Sequence, residues 1–249
     1  MKRPVFAANW KMNLGPSDAR PYLRTFLAHY ARRTDRTVAF FPPSLTLCAV
    51  VDVLRDRTDI LTGVQNIFWE PNGAFTGETS APIARDAGAS LALVGHSERR
   101  HIFGETDEQS AAKCVAAFRA GLTPVLCVGE RLDERDRGQA EEVVLRQLGA
   151  ATSVLEPAQV GKMLIAYEPV WAIGTGKNAT PEDATAMHRL IRATVRTQIG
   201  RQAEEIPILY GGSVNRNNAR ALLDAPEVDG LLVGGASLDP EGFAAIVRT

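Results

Sequence analysis

Eight short apolar runs of strand length recur from one end of this chain to the other. They are Val5–Trp10, Thr37–Phe41, Ile60–Gln65, Ser90–Gly95, Pro124–Gly129, Met163–Glu168, Ile206–Tyr210 and Asp229–Gly234. Most are continuously apolar instead of alternating, which suits strands covered on both faces, as in a parallel sheet. Helical patterns with their own start and stop signals lie between them. Thr106 and Gln109 form a Thr-x-x-Gln capping box, Ala111, Ala112, Val115 and Ala116 follow on one face, and Gly121 supplies the stop. Thr180-Pro181-Glu182-Asp183 opens another helix, with an apolar face of Ala184, Met187, Leu190, Ile191 and Val195 and with Gly200 at its end. Tyr22, Leu23, Phe26, Leu27 and Tyr30 mark the first.

Parallel strands need crossover connections, and these are right-handed almost without exception. The alternation continues to Val247 with no linker, charge block or break in composition, so the 249 residues read as one domain, 1–249. Eight units of this kind predict an α/β protein, a closed (β/α)8 barrel, although periodicity alone also allows an open doubly wound sheet. The dinucleotide-binding form of that sheet carries Gly-x-Gly-x-x-Gly after an early strand. Here the first strand runs into Asn9-Trp10-Lys11 instead.

The 28 Lys and Arg stand against 29 Asp and Glu, a net charge of −1 that gives no broad basic field for nucleic acid and leaves room for a local anion site. Only five of those basic residues are lysine: Lys2, Lys11, Lys113, Lys162 and Lys177. No run of about 18 apolar residues predicts a membrane span, and the N-terminus has no signal-peptide pattern, so a cytoplasmic location is expected. Cys48, Cys114 and Cys127 each sit in an apolar run and are expected as buried, reduced thiols, with no metal site among them.

In a barrel, the residues at the carboxyl ends of the strands converge on one mouth. Those ends carry Asn9 and Lys11, Gln65 and Asn66, His96, Glu130, Glu168, Gly211-Gly212-Ser213 and Gly234-Gly235. Glycine lets backbone N–H groups approach a ligand, and the loops after strands seven and eight are a common place for phosphate. The segment Gly174-Thr175-Gly176-Lys177-Asn178 lacks the spacing of a nucleotide P-loop. Lys11 is either a strand-end lysine reaching for water or a fixed charge for an electron-rich phosphorylated substrate; a Schiff-base lysine is the third reading. His96 opens a short helical turn, whose positive end is expected to lower its pKa and leave a neutral hydrogen-bond donor. His29 and His188, within long helices, read as surface or packing residues, and the spacing of His101 from His96 is no metal signature. Glu168 ends an apolar strand and is either one end of a salt bridge or a general base. The apolar segment after it, with Trp171 and Ile173, suits a lid that excludes water.

Five segments together carry a resemblance. They are Asn9-Trp10-Lys11, Gly95-His96-Ser97-Glu98-Arg99-Arg100, Tyr167-Glu168-Pro169-Val170-Trp171-Ala172-Ile173-Gly174-Thr175-Gly176-Lys177, Tyr210-Gly211-Gly212-Ser213-Val214 and Gly234-Gly235-Ala236-Ser237. In this order they resemble the triosephosphate isomerase family over almost the whole chain. The resemblance implies a single (β/α)8 TIM barrel that interconverts dihydroxyacetone phosphate and D-glyceraldehyde 3-phosphate without a cofactor, in glycolysis and gluconeogenesis. It implies Glu168 as the base, His96 as the electrophile that shuttles protons, and Lys11 and Asn9 as stabilisers of negative charge. Phosphate would rest on backbone N–H groups of Gly174, Ser213, Gly234 and Gly235. Glu98 would support Lys11, Glu130 would meet Trp171 in the open lid, and Tyr210 and Ser213 would hold the closed one. The loop Gln65–Glu78 would dock into a second copy of the chain, with Thr76 near that copy's catalytic residues, making a homodimer; neither nucleic acid nor a membrane is expected as a partner. From the residues alone, Phe68, Trp69 and Phe75 in a Gly/Pro/Asn-rich loop suggest an interface. A Schiff-base aldolase on another phosphate-binding barrel, and a non-catalytic sugar-phosphate-binding protein, are the competing readings.

Overall fold

The computed structural model describes residues 1–173 and 179–249. Eight strands form one closed barrel in sequence order: β1 Val5–Asn9, β2 Thr37–Phe41, β3 Ile60–Val64, β4 Leu91–Val94, β5 Thr123–Val128, β6 Leu164–Tyr167, β7 Ile208–Tyr210 and β8 Gly230–Val233. Every neighbouring pair is parallel, and β8 closes on β1 with Val5 opposite Gly230 and Ala8 opposite Val233. All eight apolar runs are therefore strands; Thr37–Phe41 matches to the residue and the others are trimmed or extended by a residue or two, as when β7 starts at Ile208.

The two-residue alternation of each strand divides the core into two shells. Val5, Ala7, Ala39, Phe41, Leu91, Leu93, Val125, Cys127, Leu164, Ala166, Leu209 and Leu232 pack together inside the barrel. Phe6, Ala8, Val38, Phe40 and Ile165 turn outward under the helices. Phe41 fills the interior beside Gly63, where a Cβ would lie 2.3 Å from its ring, so only glycine admits the ring there.

The helices follow their signals. Asp107–Arg119 starts with the Thr106–Gln109 capping box, and Pro181–Ile199 with Thr180 and Asp183 bonding to each other's backbone N–H. On Pro181–Ile199, Ala184, Met187, Ile191 and Val195 are buried, together with His188, a packing residue as expected. Cys114 and Cys127 are buried free thiols, but Cys48 is exposed, contrary to expectation. It sits on the amphipathic helix Leu47–Leu54, whose buried positions Leu47, Ala49, Val50 and Leu54 turn Cys48 outward.

Candidate active site

A cleft of roughly 350 Å3 opens at the carboxyl ends of the strands, lined by Asn9, Lys11, His96, Glu168, Ser213, Gly234 and Gly235. The barrel geometry brings them there. Asn9 is the last inward residue of β1, and Lys11, two residues on, reaches the cleft from a left-handed backbone, φ 51°. That turn is held on both sides: the Lys11 N–H donates to Asn9 Oδ1 at 3.0 Å, and Gln65 Nε2 donates to the Lys11 carbonyl at 2.8 Å. The Lys11 ammonium donates to Glu98 Oε1 at 2.6 Å.

His96 is the N-cap of the short helix Ser97–His101, and its Nδ1 accepts the Glu98 N–H at 3.2 Å. This bond keeps a proton off Nδ1 and places the ring's hydrogen on Nε2. Nε2 stands 2.9 Å from Glu168 Oε1 and 3.2 Å from Asn9 Nδ2. The other carboxylate oxygen of Glu168 accepts the Ser97 N–H at 2.8 Å. Both side chains are buried, yet they face the cleft.

The electrostatics differ from the expectation drawn from the helical turn alone. Burial pushes the His96 imidazole down, but the adjacent Glu168 carboxylate outweighs it and holds the pKa above its ordinary value. Burial likewise pushes Glu168 up, and His96, the Ser97 N–H and Lys11 together hold it below the usual carboxylate range. The raising influence on His96 therefore comes from a carboxylate 72 positions along the chain, not from its own turn. A ligand that separates the pair removes that influence.

Around the cleft, Glu130 lies wholly buried at the end of β5. Its Oε1 accepts from Trp171 Nε1 at 2.8 Å and from the Tyr167 hydroxyl at 3.1 Å, and burial raises its pKa. Tyr210 is buried with its hydroxyl under Gly212, where a Cβ would lie 2.2 Å from it. At Gly234 a Cβ would come 3.2 Å from Lys11 Cε, so the bare backbone lets the lysine stem lie against the turn. Gly174 lies outside the described residues.

The triosephosphate isomerase family profile matches residues 4–249. The chain belongs to the triosephosphate isomerase family. A triosephosphate isomerase of Solibacter usitatus is 46% identical over 249 residues, covering all of both chains. Another, of Symbiobacterium thermophilum, is 47% identical over 247 residues, 99% of this chain and 96% of that one. The crystal structure of triosephosphate isomerase from Bartonella henselae superposes with a TM-score of 0.89 at 37% identity, covering 99% of this chain and 98% of that chain.

Within this triosephosphate isomerase fold, the cleft has details that the sequence reading did not supply. The Ser97 N–H is a backbone group that no residue type announces. Gly211 matters through its missing side chain, since a Cβ there would lie 2.9 Å from Glu168 Cγ. Ile173 and Leu232 supply apolar wall; the first was read only as part of an apolar lid segment, and the second had a signal as an inward position of a predicted strand.

Proposed function

We infer that this chain is an isomerase that interconverts dihydroxyacetone phosphate and D-glyceraldehyde 3-phosphate by proton transfer through an enediolate, a step of glycolysis and gluconeogenesis. Family membership carries the activity. The observation that carries the mechanism is the Glu168–His96 pair, 2.9 Å apart, in a cleft shared with Lys11 and two glycine turns.

Glu168 takes the proton from the carbon beside the carbonyl and returns it to the neighbouring carbon. Both of its oxygens are engaged in the free protein, one by His96 and one by the Ser97 N–H. A substrate oxygen that takes the His96 Nε2–H therefore releases the carboxylate toward carbon. His96 donates to the two substrate oxygens in turn, and Asn9 and the Lys11 ammonium stabilise the charge that develops on them. Phosphate rests on the backbone N–H groups of Ser213, Gly234 and Gly235, with Gly174 joining from the lid. Glu130 anchors Trp171 at the start of that lid, and Tyr210 and Ser213 hold it when it is down. Closing it excludes water and keeps the enediolate from losing phosphate before it is reprotonated.

The chain acts as one domain, 1–249, in the cytoplasm, and pairs into a homodimer through the loop 65–78. Within that loop Phe68 stacks on Trp69 at 4.1 Å and meets Phe75 at 4.6 Å, a preformed apolar knob. Met12, Leu45, Phe75, Ile102 and Phe103 are exposed in the connections after β1, β2, β3 and β4, which are neighbours in the barrel. Thr76, exposed on the same loop, reaches the partner's cleft.

Coupled assays in both directions, with phosphoglycolate as competitor, test the reading. Turnover of both triose phosphates is expected, inhibited by phosphoglycolate; folded protein without turnover overturns it. Borohydride is expected to trap no adduct, because Lys11 is ion-paired with Glu98 and does not sit in an apolar pocket. Sedimentation at assay concentration is expected to show a dimer, and a fully active monomer would remove the loop 65–78 from the account.

A further inference from the structure

The ladder between β4 and β5 ends at Val94 opposite Leu126. Beyond it, Gly95 turns the chain out of the strand with φ 68°, and side chains take over both of its backbone groups. Its N–H donates to Glu105 Oε1 at 3.0 Å, and its carbonyl accepts from Arg100 Nε at 2.7 Å. Arg100 also donates Nη2–H to the Cys127 carbonyl of β5 at 3.3 Å, and its backbone N–H to the His96 carbonyl at 3.0 Å. Its third arm, Nη1, is held by Asp107 Oδ1 at 2.6 Å, and the side chain is only 6% exposed. One buried guanidinium thus stands in for the next rung of the ladder and grips the Gly95–His96 peptide, while the Arg100 backbone N–H holds the carbonyl on the other side of the His96 Cα. Arg100 does not line the cleft.

We propose that Arg100 is a positioning residue for the isomerisation, fixing the Gly95–His96 segment so that His96 Nε2 meets the reacting oxygens. The proposal rests on the role of His96 given above. A planar fork reaches two carbonyls and a carboxylate at once, which a lysine ammonium on the same stem does not. Displacing a catalytic group by about 1 Å costs on the order of a hundredfold in rate. The buried cation also has a price in desolvation, which lowers its own pKa. An apolar side chain would seal the β4–β5 gap without that cost, but it would leave the Gly95 carbonyl free to turn.

The test is a double-mutant cycle between Arg100→Lys and His96→Gln, read as kcat and KM on the whole enzyme. Arg100→Lys is expected to lower kcat about tenfold or more while KM and phosphoglycolate inhibition stay within about twofold, because the phosphate site is untouched. In the His96→Gln background the same change is expected to cost almost nothing, since no imidazole remains to be positioned. An equal cost on both backgrounds, or an unchanged kcat in Arg100→Lys, overturns the proposal. Should Arg100→Lys fail to fold, Asp107→Ala keeps the guanidinium and frees one arm. It is then read in the same cycle, with a loss of about threefold confined to the His96 background supporting the proposal and an equal loss on both overturning it. Undiminished turnover in His96→Gln alone would instead sink the reading of His96 on which the proposal stands.

Discussion

Buried charge is concentrated at both ends of the barrel, and the two ends handle it differently. At the end where the strands begin, Arg192 bonds Asp229 Oδ2 at 2.5 Å, Glu227 Oε2 at 2.6 Å, and the carbonyls of Ala203 and Ile206 at 2.7 and 3.1 Å. Asp229 in turn accepts from Arg3 at 2.7 Å and from the Ile208 N–H at 3.0 Å. The protein saturates this cluster itself. At the mouth, the Lys11 ammonium spends one bond on Glu98, and the partners of Glu168 and His96 face the cleft that a substrate enters. The first arrangement holds β7 and β8 to the helix Pro181–Ile199. The second holds charges whose present bonds can be exchanged for bonds to a ligand. Burial is common to both, so burial does not mark the functional end; exchangeable partners do.

The contrast can be broken from either side. Arg192→Met takes the guanidinium from Glu227 and two carbonyls and leaves Asp229 with Arg3 and the Ile208 N–H, and removing one partner of a buried ion cluster typically costs about 3–5 kcal/mol. Urea unfolding is expected to show that loss, with kcat of the folded fraction close to normal; a large kcat defect at full stability would erase the distinction between the two ends. Glu168→Asp retracts the base by one methylene and is expected to lower kcat roughly a hundredfold to a thousandfold, far more than it raises KM, with stability unchanged. Comparable kcat in that variant would remove Glu168 from the base role. His96→Gln is expected to lower kcat roughly a hundredfold. It also removes the partner that does most to hold Glu168 below the usual carboxylate range, so the acid limb of the kcat/KM profile should move to higher pH. An unmoved limb would show that the pair does not titrate as a unit.

The smallest effect belongs to His188, wholly buried one turn before Arg192, with Nδ1 against the Glu227 carbonyl at 2.9 Å. Burial pushes its pKa down to about 4. Between that value and the unfolded value near 6.5, only the unfolded chain takes up the proton, so acidification favours unfolding. Going from pH 7 to pH 5 should cost about 2 kcal/mol through this residue, a loss complete only below pH 4 and missing from His188→Gln. Equal pH slopes for the two proteins would show that the foot of the barrel tolerates the charge.

The barrel was legible because parallel strands buried on both faces leave continuous apolar runs, and Thr37–Phe41 was read to the residue. Ends were less legible where polarity changes late: Trp10 and Gln65 continue the apolar pattern or its direction after the ladder has stopped. Asn9, Lys11, His96 and Glu168 could be placed at one mouth because the barrel puts every strand's carboxyl end there. What stayed hidden depends on distance along the chain. No local pattern tells that Arg100 caps Cys127, that Gln147 brackets Gly129 from 18 residues away, or that Glu168 sets the ionisation of His96. Cys48 failed for a different reason: an apolar run on a short helix still has an outside.

Phe41 lying across Gly63, with Leu91 and Leu93 packed in the same interior, closes the barrel beneath the cleft. Among the described residues the site is consequently a cup with a single opening. Ketose and aldose phosphate must come and go through one rim, each blocking the other, so product competes with substrate for every encounter. Among the described residues no back door relieves that traffic.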